Sequence, residues 1–175
     1  MKPIIYSVLT RLWSNPSTTR RAHGTLSENG SGKLSAFTSE ALSYIKSLGA
    51  THVWYIGLLE HATKTDYSAY GIHPDHPDTV KGQAGSPYAV KDYYDIDPDL
   101  ADDPRERQRE FDALVSRTHE AGLKVMMDFI PNHVARCYGS DACPLGTEDL
   151  GAGDKTSEAF SLRNNFYYLP GTSLQ

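Results

Sequence analysis

Asp128-Phe129-Ile130-Pro131-Asn132-His133, directly after Lys124-Val125-Met126-Met127, decides how this chain is read. The apolar run from Lys124 to Phe129 is short and follows Gly122, so it reads as a buried strand. A carboxylate, an amide and an imidazole then leave the end of that strand within six residues. In a parallel α/β protein, sites are built at this end of the strands. Asp128 can order the following loop by accepting backbone N–H bonds. Asn132 offers a carbonyl to a hard cation or an N–H to a sugar hydroxyl, and His133 can donate a hydrogen bond to a substrate oxygen. The same residues also suit a turn cap beside a satisfied histidine, with no ligand at all.

Upstream of this stretch the chain alternates. Pro3 to Thr10 is a short β-branched run and reads as a strand, and Ser14 to Ser35 reads as a loop with a turn at Asn29-Gly30. Phe37, Ala41, Tyr44, Ile45 and Leu48 recur at helical spacing, with Thr38 as N-cap and Gly49 just past the end. Thr51 to Ile56 reads as the second strand. Gly57 to Asp102 has no helical period, and a segment of that length inside a domain is usually functional. Asp103-Pro104-Arg105-Glu106 reads as a helix start, with Phe111, Leu114, Val115 and Thr118 as its buried stripe and Gly122 as its stop. The order strand, helix, strand, long loop, helix, strand predicts a parallel sheet with right-handed crossovers. From Gly139 onward no convincing strand appears, but Asn164 to Leu169 is too aromatic for an unpacked tail.

The long segment holds a second constellation, Ser86-Pro87-Tyr88-Ala89-Val90-Lys91-Asp92-Tyr93-Tyr94-Asp95-Ile96-Asp97-Pro98. Tyrosines beside carboxylates suit sugar recognition: the ring packs on the C–H face of a pyranose and the carboxylates bond its hydroxyls. Surface tyrosines packing locally would give the same pattern. His73-Pro74-Asp75-His76-Pro77-Asp78 resembles a metal cluster, but its spacing matches no standard site, so a polar loop is the expectation. Gly30-Ser31-Gly32-Lys33 fails as a phosphate loop, because Ser27 stands where Gly is needed and Leu34 replaces Ser/Thr.

Composition excludes several classes. The 17 Lys+Arg and 22 Asp+Glu give a net charge of −5, without the basic patch of a nucleic-acid binder. No apolar run approaches the ~18–20 residues of a membrane span, and the start carries no signal-peptide pattern. The expected compartment is therefore cytoplasmic. Cys137 and Cys143 read as two free thiols, with a small loop disulfide as the alternative in an oxidising compartment.

The motifs together resemble the N-terminal part of an α-amylase family glycoside hydrolase. Asp128 to His133 is similar to the family signature D-x-V-x-N-H at the end of the third barrel strand, with Ile130 in place of Val. Tyr88, followed by Asp92 and Tyr93 to Pro98, resembles the segment preceding it, and Ala50 to Tyr55 resembles the second strand. The resemblance runs over roughly residues 3–169. It implies an α/β fold, a partial TIM (β/α)8 barrel of the first three strand-helix units with long βα loops, ending before strand four. Residues 1–175 would be an incomplete catalytic barrel domain, and 134–175 the extended loop after strand three.

On this resemblance the substrate is an α-linked oligosaccharide or polysaccharide, hydrolysed or transferred at its α-glucosidic bonds. Tyr88 would stack under the sugar next to the scissile bond, His133 would bond its hydroxyls, Asp128 would support the site, and Asn132 would be one ligand of a structural calcium. The family chemistry is retaining and uses paired carboxylates. No G-x-R-x-D segment occurs, and Asp92, Asp95, Asp97 and Asp128 match no catalytic position, so the isolated chain is expected to be inactive. A non-catalytic sugar-binding or scaffold protein with a degenerate barrel is the alternative; a transglucosidase, isomerase or phosphorylase is the alternative within the family.

Overall fold

A computed structural model describes residues 2–172 of the chain. Its organising element is a parallel sheet of β1 (Ile5–Leu9), β2 (His52–Ile56) and β5 (Lys124–Met127), in the order β1-β2-β5. The register aligns Tyr6 with Val53 and Val53 with Val125, and the next row down aligns Ser7 with Trp54 and Trp54 with Met126. Side chains alternate across a strand, so the first row faces the core and the second the opposite side. Val53 and Tyr55 are accordingly buried, while Trp54 is 36% exposed.

Two helices make the crossovers. The first, Ser39–Ser47, starts where the sequence predicts: Thr38 Oγ1 accepts from Ala41 N at 3.3 Å. The second, Arg107–Glu120, begins three residues later than its Asp-Pro signal, because Pro104–Glu106 forms a 3-10 turn first. Asp103 caps that turn through Arg105 N at 3.0 Å. The reciprocal carboxylate is Glu110 rather than Glu106: its oxygens accept from Asp102 N (2.8 Å) and Asp103 N (3.0 Å). With Leu26–Asn29, a short turn inside the expected loop 14–35 capped by Thr25 and Glu28, these helices are α1, α2 and α3 in chain order.

The core lies between the sheet and these helices. Leu42 and Ile45 of α2 and Leu114 of α3 are fully buried with Phe37, Val53, Tyr55, Leu58, Leu100 and Leu123. Phe37 stacks on Trp13 (5.1 Å) and meets Tyr55 edge-on (4.9 Å). Thr118 is the polar member of the predicted stripe. It donates to Leu114 O (2.8 Å) and shares a 2.7 Å bond with the buried Tyr55 hydroxyl. Phe111 and Val115, predicted with it, are half-buried.

The expectation that Gly57–Asp102 lacks regular structure is corrected. It contains β3 (Leu59–His61) and β4 (Val90–Ile96), an antiparallel pair with irregular register. Within the tyrosine- and aspartate-rich stretch, Val90–Ile96 is thus a strand buried over most of its length, while Tyr88 before it is exposed. The three-unit expectation is also corrected: three parallel strands are joined by two crossover helices, and among the described residues no helix follows β5.

The chain divides into Met1–Asp141 and Ala142–Gln175. Residues 134–141 fall in the first of these units. Within the second unit Asp154 is the hub. It accepts from Asn165 N, Phe166 N and the Tyr168 hydroxyl, each near 2.9 Å, and Phe160 stacks on Tyr167. The aromatic run 164–169 thus packs within its own unit. Cys137 and Cys143 are free thiols. No helix among the described residues is long and apolar enough to cross a membrane.

Candidate functional site

Asp128 leaves the end of β5 with its carboxylate turned towards the neighbouring strand. Oδ1 accepts from the Trp54 indole at 2.7 Å and Oδ2 from Gly57 N at 2.9 Å. One side chain therefore ties the C-terminal ends of β2 and β5 together. Gly57 has φ +76°, and a Cβ built on it would lie 2.7 Å from Pro87 Cβ. A bare Cα is thus required on both counts. The line Asp128, Gly57, Pro87 ends at the residue before Tyr88, which is 45% exposed.

The loop after β5 runs along β4. Tyr93 OH donates to Ile130 O, Ala135 N to Val90 O (2.7 Å) and Gly139 N to Lys91 O (3.2 Å), and the Asp92 carboxylate accepts from Ser140 Oγ (2.7 Å) and Asp141 N (2.9 Å). The two stretches singled out in the sequence are thereby brought side by side. Tyr88 and His133 each lie two residues from the Val90–Ala135 bond. His133 and Asn132 are exposed. Asn132 offers one oxygen where calcium takes about six to eight, so it does not make a metal site by itself.

Around β3 and β4 lie two buried ionic networks that the sequence reading missed. In the first, Arg11 from the turn after β1 reaches Asp97 (3.3 Å) and Asp99, Tyr67 donates to Asp99, and His61 Nδ1 lies 3.5 Å from Asp97. Burial alone would lower the Arg11 pKa; Asp97 and Asp99 outweigh it and hold Arg11 above its usual value. Burial raises Asp97, and the nearby His61 and Arg11 only partly offset this. In the second network Arg107 binds Asp95 with both arms, one bond being 2.7 Å, and Lys91 lies 3.2 Å from Asp75 and 3.7 Å from Glu60. Burial pushes Glu60 up to about 8 despite Lys91. The His73–Asp78 stretch contributes Asp75 to this network, and His73 pairs with Asp141 at 2.6 Å, so only part of it is the polar loop expected. Buried carboxylates spaced along β4 were the available signal, since such groups persist in a core only when paired.

The family model "Alpha amylase, catalytic domain" matches residues 17–140. The chain belongs to the α-amylase family. Maltase 1 of Drosophila virilis is 30% identical over 105 residues, which cover 60% of this chain and 12% of that protein. The amino acid transporter heavy chain SLC3A1 of Rattus norvegicus is 29% identical over 108 residues, 62% of this chain and 12% of the relative. The maltogenic α-amylase AmyB of Thermotoga neapolitana has a similar structure, with TM-score 0.50 at 28% identity, covering 78% of this chain and 25% of that one. The α-amylase family chain therefore spans about an eighth of these two curated relatives and a quarter of the solved enzyme. The partial-barrel reading agrees with the observed parallel order β1-β2-β5.

Proposed function

We propose that this chain supplies one glucan-binding wall of an enzyme that hydrolyses or transfers α-glucosidic bonds. What supports the reading is the docking of the loop after β5 along β4: Ala135 N donates to Val90 O two residues from His133 and two from the exposed Tyr88. In this reading Tyr88 stacks on a glucosyl ring, His133 donates to its hydroxyls, and Asp128 acts only by holding Gly57 and Trp54. None of the carboxylates on β4 is free for retaining chemistry: Asp92 is held by Ser140 and Asp141, and Asp95 by Arg107. The chain on its own is expected to bind sugar without turning it over, because losing even one catalytic carboxylate removes most of the rate.

The test is calorimetric titration of the purified chain with maltoheptaose, beside a hydrolysis assay on the same substrate. Binding without hydrolysis is expected. Tyr88→Ala should weaken binding by about 1 kcal/mol, roughly fivefold, at unchanged thermal stability, since the ring is exposed. Measurable hydrolysis would overturn the inactivity, and undiminished binding by Tyr88→Ala would overturn the site.

A further inference from the structure

The acidic cluster at the β3–β4 pair plays no part in sugar binding as proposed. The Glu60 side chain is 2% exposed, and neither of its carboxylate oxygens accepts a hydrogen bond. Lys91 Nζ stands 3.7 Å away, beyond hydrogen-bond reach. One oxygen each from Glu60, Asp92 and Asp95 lie within 4.8 Å of one another. Asp75 Oδ1, near the same lysine, is also buried without a partner.

The surrounding bonds fix these groups in place. Asp92 accepts from Tyr94 N (2.7 Å), Ser140 Oγ and Asp141 N; Asp95 accepts from Ile96 N (2.7 Å) and Arg107. Among the described residues Lys91 and Arg107 pair with Asp75 and Asp95, and neither donates a hydrogen bond to the buried Glu60. Uncompensated buried charge is costly and is met by pairing, proton uptake or a metal. Oxygens this close fit around one ion with bonds of about 2.3–2.6 Å, and an all-carboxylate donor set selects a hard cation.

We propose that Glu60, Asp92 and Asp95 hold a hard divalent cation of the calcium class, which clamps β3 to β4 beneath the loop carrying Ala135. The site is separate from Asn132 and stands independently of the sugar-binding reading.

The full chain, stripped with chelator and dialysed, is titrated calorimetrically with calcium, magnesium and manganese chlorides and then melted with and without each ion. One ion bound per chain with a raised Tm is expected. Glu60→Gln keeps the side-chain volume and removes a buried charge, so it should remain folded by circular dichroism while binding weakens by about tenfold or more. Asn132→Ala should bind as the parent does. The proposal is overturned if no ion binds up to about 10 mM, the weak end of protein calcium sites. It is equally overturned if Glu60→Gln binds undiminished or if Asn132→Ala abolishes binding. Stabilisation of the stripped chain by acid, with no response to any ion, would show that a proton fills the role and would also overturn it.

Discussion

Gly57 has two separate reasons to lack a side chain, and they bear on the same neighbour. Its φ of +76° disfavours any L side chain, and Pro87 occupies the space a Cβ would take. Gly57→Ala must therefore strain its backbone and push Pro87, and with it Tyr88. A loss of about 1–2 kcal/mol is expected in denaturant unfolding, together with weaker maltoheptaose binding than Tyr88's exposure alone would suggest. Asp128→Ala removes the acceptor for both Gly57 N and the Trp54 indole. A charged acceptor bonded to two donors contributes about 1–3 kcal/mol, so its loss should appear in unfolding and in a changed Trp emission. If Asp128→Ala left stability and emission untouched, the carboxylate would not be the tie between β2 and β5 described above. The sequence reads Asp128 as a group that orders the loop after its strand, whereas its two bonds reach back to Gly57 N and the Trp54 indole of the neighbouring strand. It gave no hint of Gly57's second constraint, since Pro87 is thirty residues away.

Leu114 and Asp154 test the two compact units by different means. Leu114 is fully buried on α3 among Phe37, Tyr55 and Leu100, so Leu114→Ala should cost about 2–5 kcal/mol by leaving a cavity, read from the shift in urea midpoint. In the second unit burial would raise Asp154, but the amides of Asn165 and Phe166 and the Tyr168 hydroxyl outweigh it and hold its pKa below the usual carboxylate range. A depressed folded-state pKa contributes stability above the unfolded value that is lost as pH falls through the folded value. Exchange of the Asn165 and Phe166 amides should therefore accelerate as pH drops below about 4, relative to intrinsic rates. Asp154→Asn should show the faster exchange at every pH. The elements themselves were unequally legible. β1, α2, β2, α3 and β5 follow apolar periodicity and caps, which act locally. β4 does not, because Lys91, Asp92 and Asp95 are buried there on the strength of partners from distant segments, and a charged strand reads locally as a loop. For the same reason the ionic networks around β3 and β4 were not read from the sequence.

For the sheet as a whole, the open face decides behaviour. Trp54 and Ile5 lie on the side away from the helices, and Phe129, just past β5, is 75% exposed. The outer edges of β1 and β5 have no strand partner among the described residues. Contiguous exposed apolar surface and unpaired edges both promote association, the first by removing area from water and the second by offering unmet backbone groups. The isolated chain should bind a hydrophobic dye such as ANS in its folded state and sediment as concentration-dependent oligomers. Phe129→Ser should reduce both without lowering Tm, because that ring buries little in the folded chain. A Lys placed at Ile5 should act in the same direction by charging the β1 edge. Relief by Phe129→Ser alone would assign the association to the apolar surface past β5, and relief by Ile5→Lys would assign it to the β1 side, where face and edge coincide. A chain that stays monomeric and dye-free at about 100 μM, where partly exposed folds ordinarily associate, would show that this surface is satisfied by the chain itself.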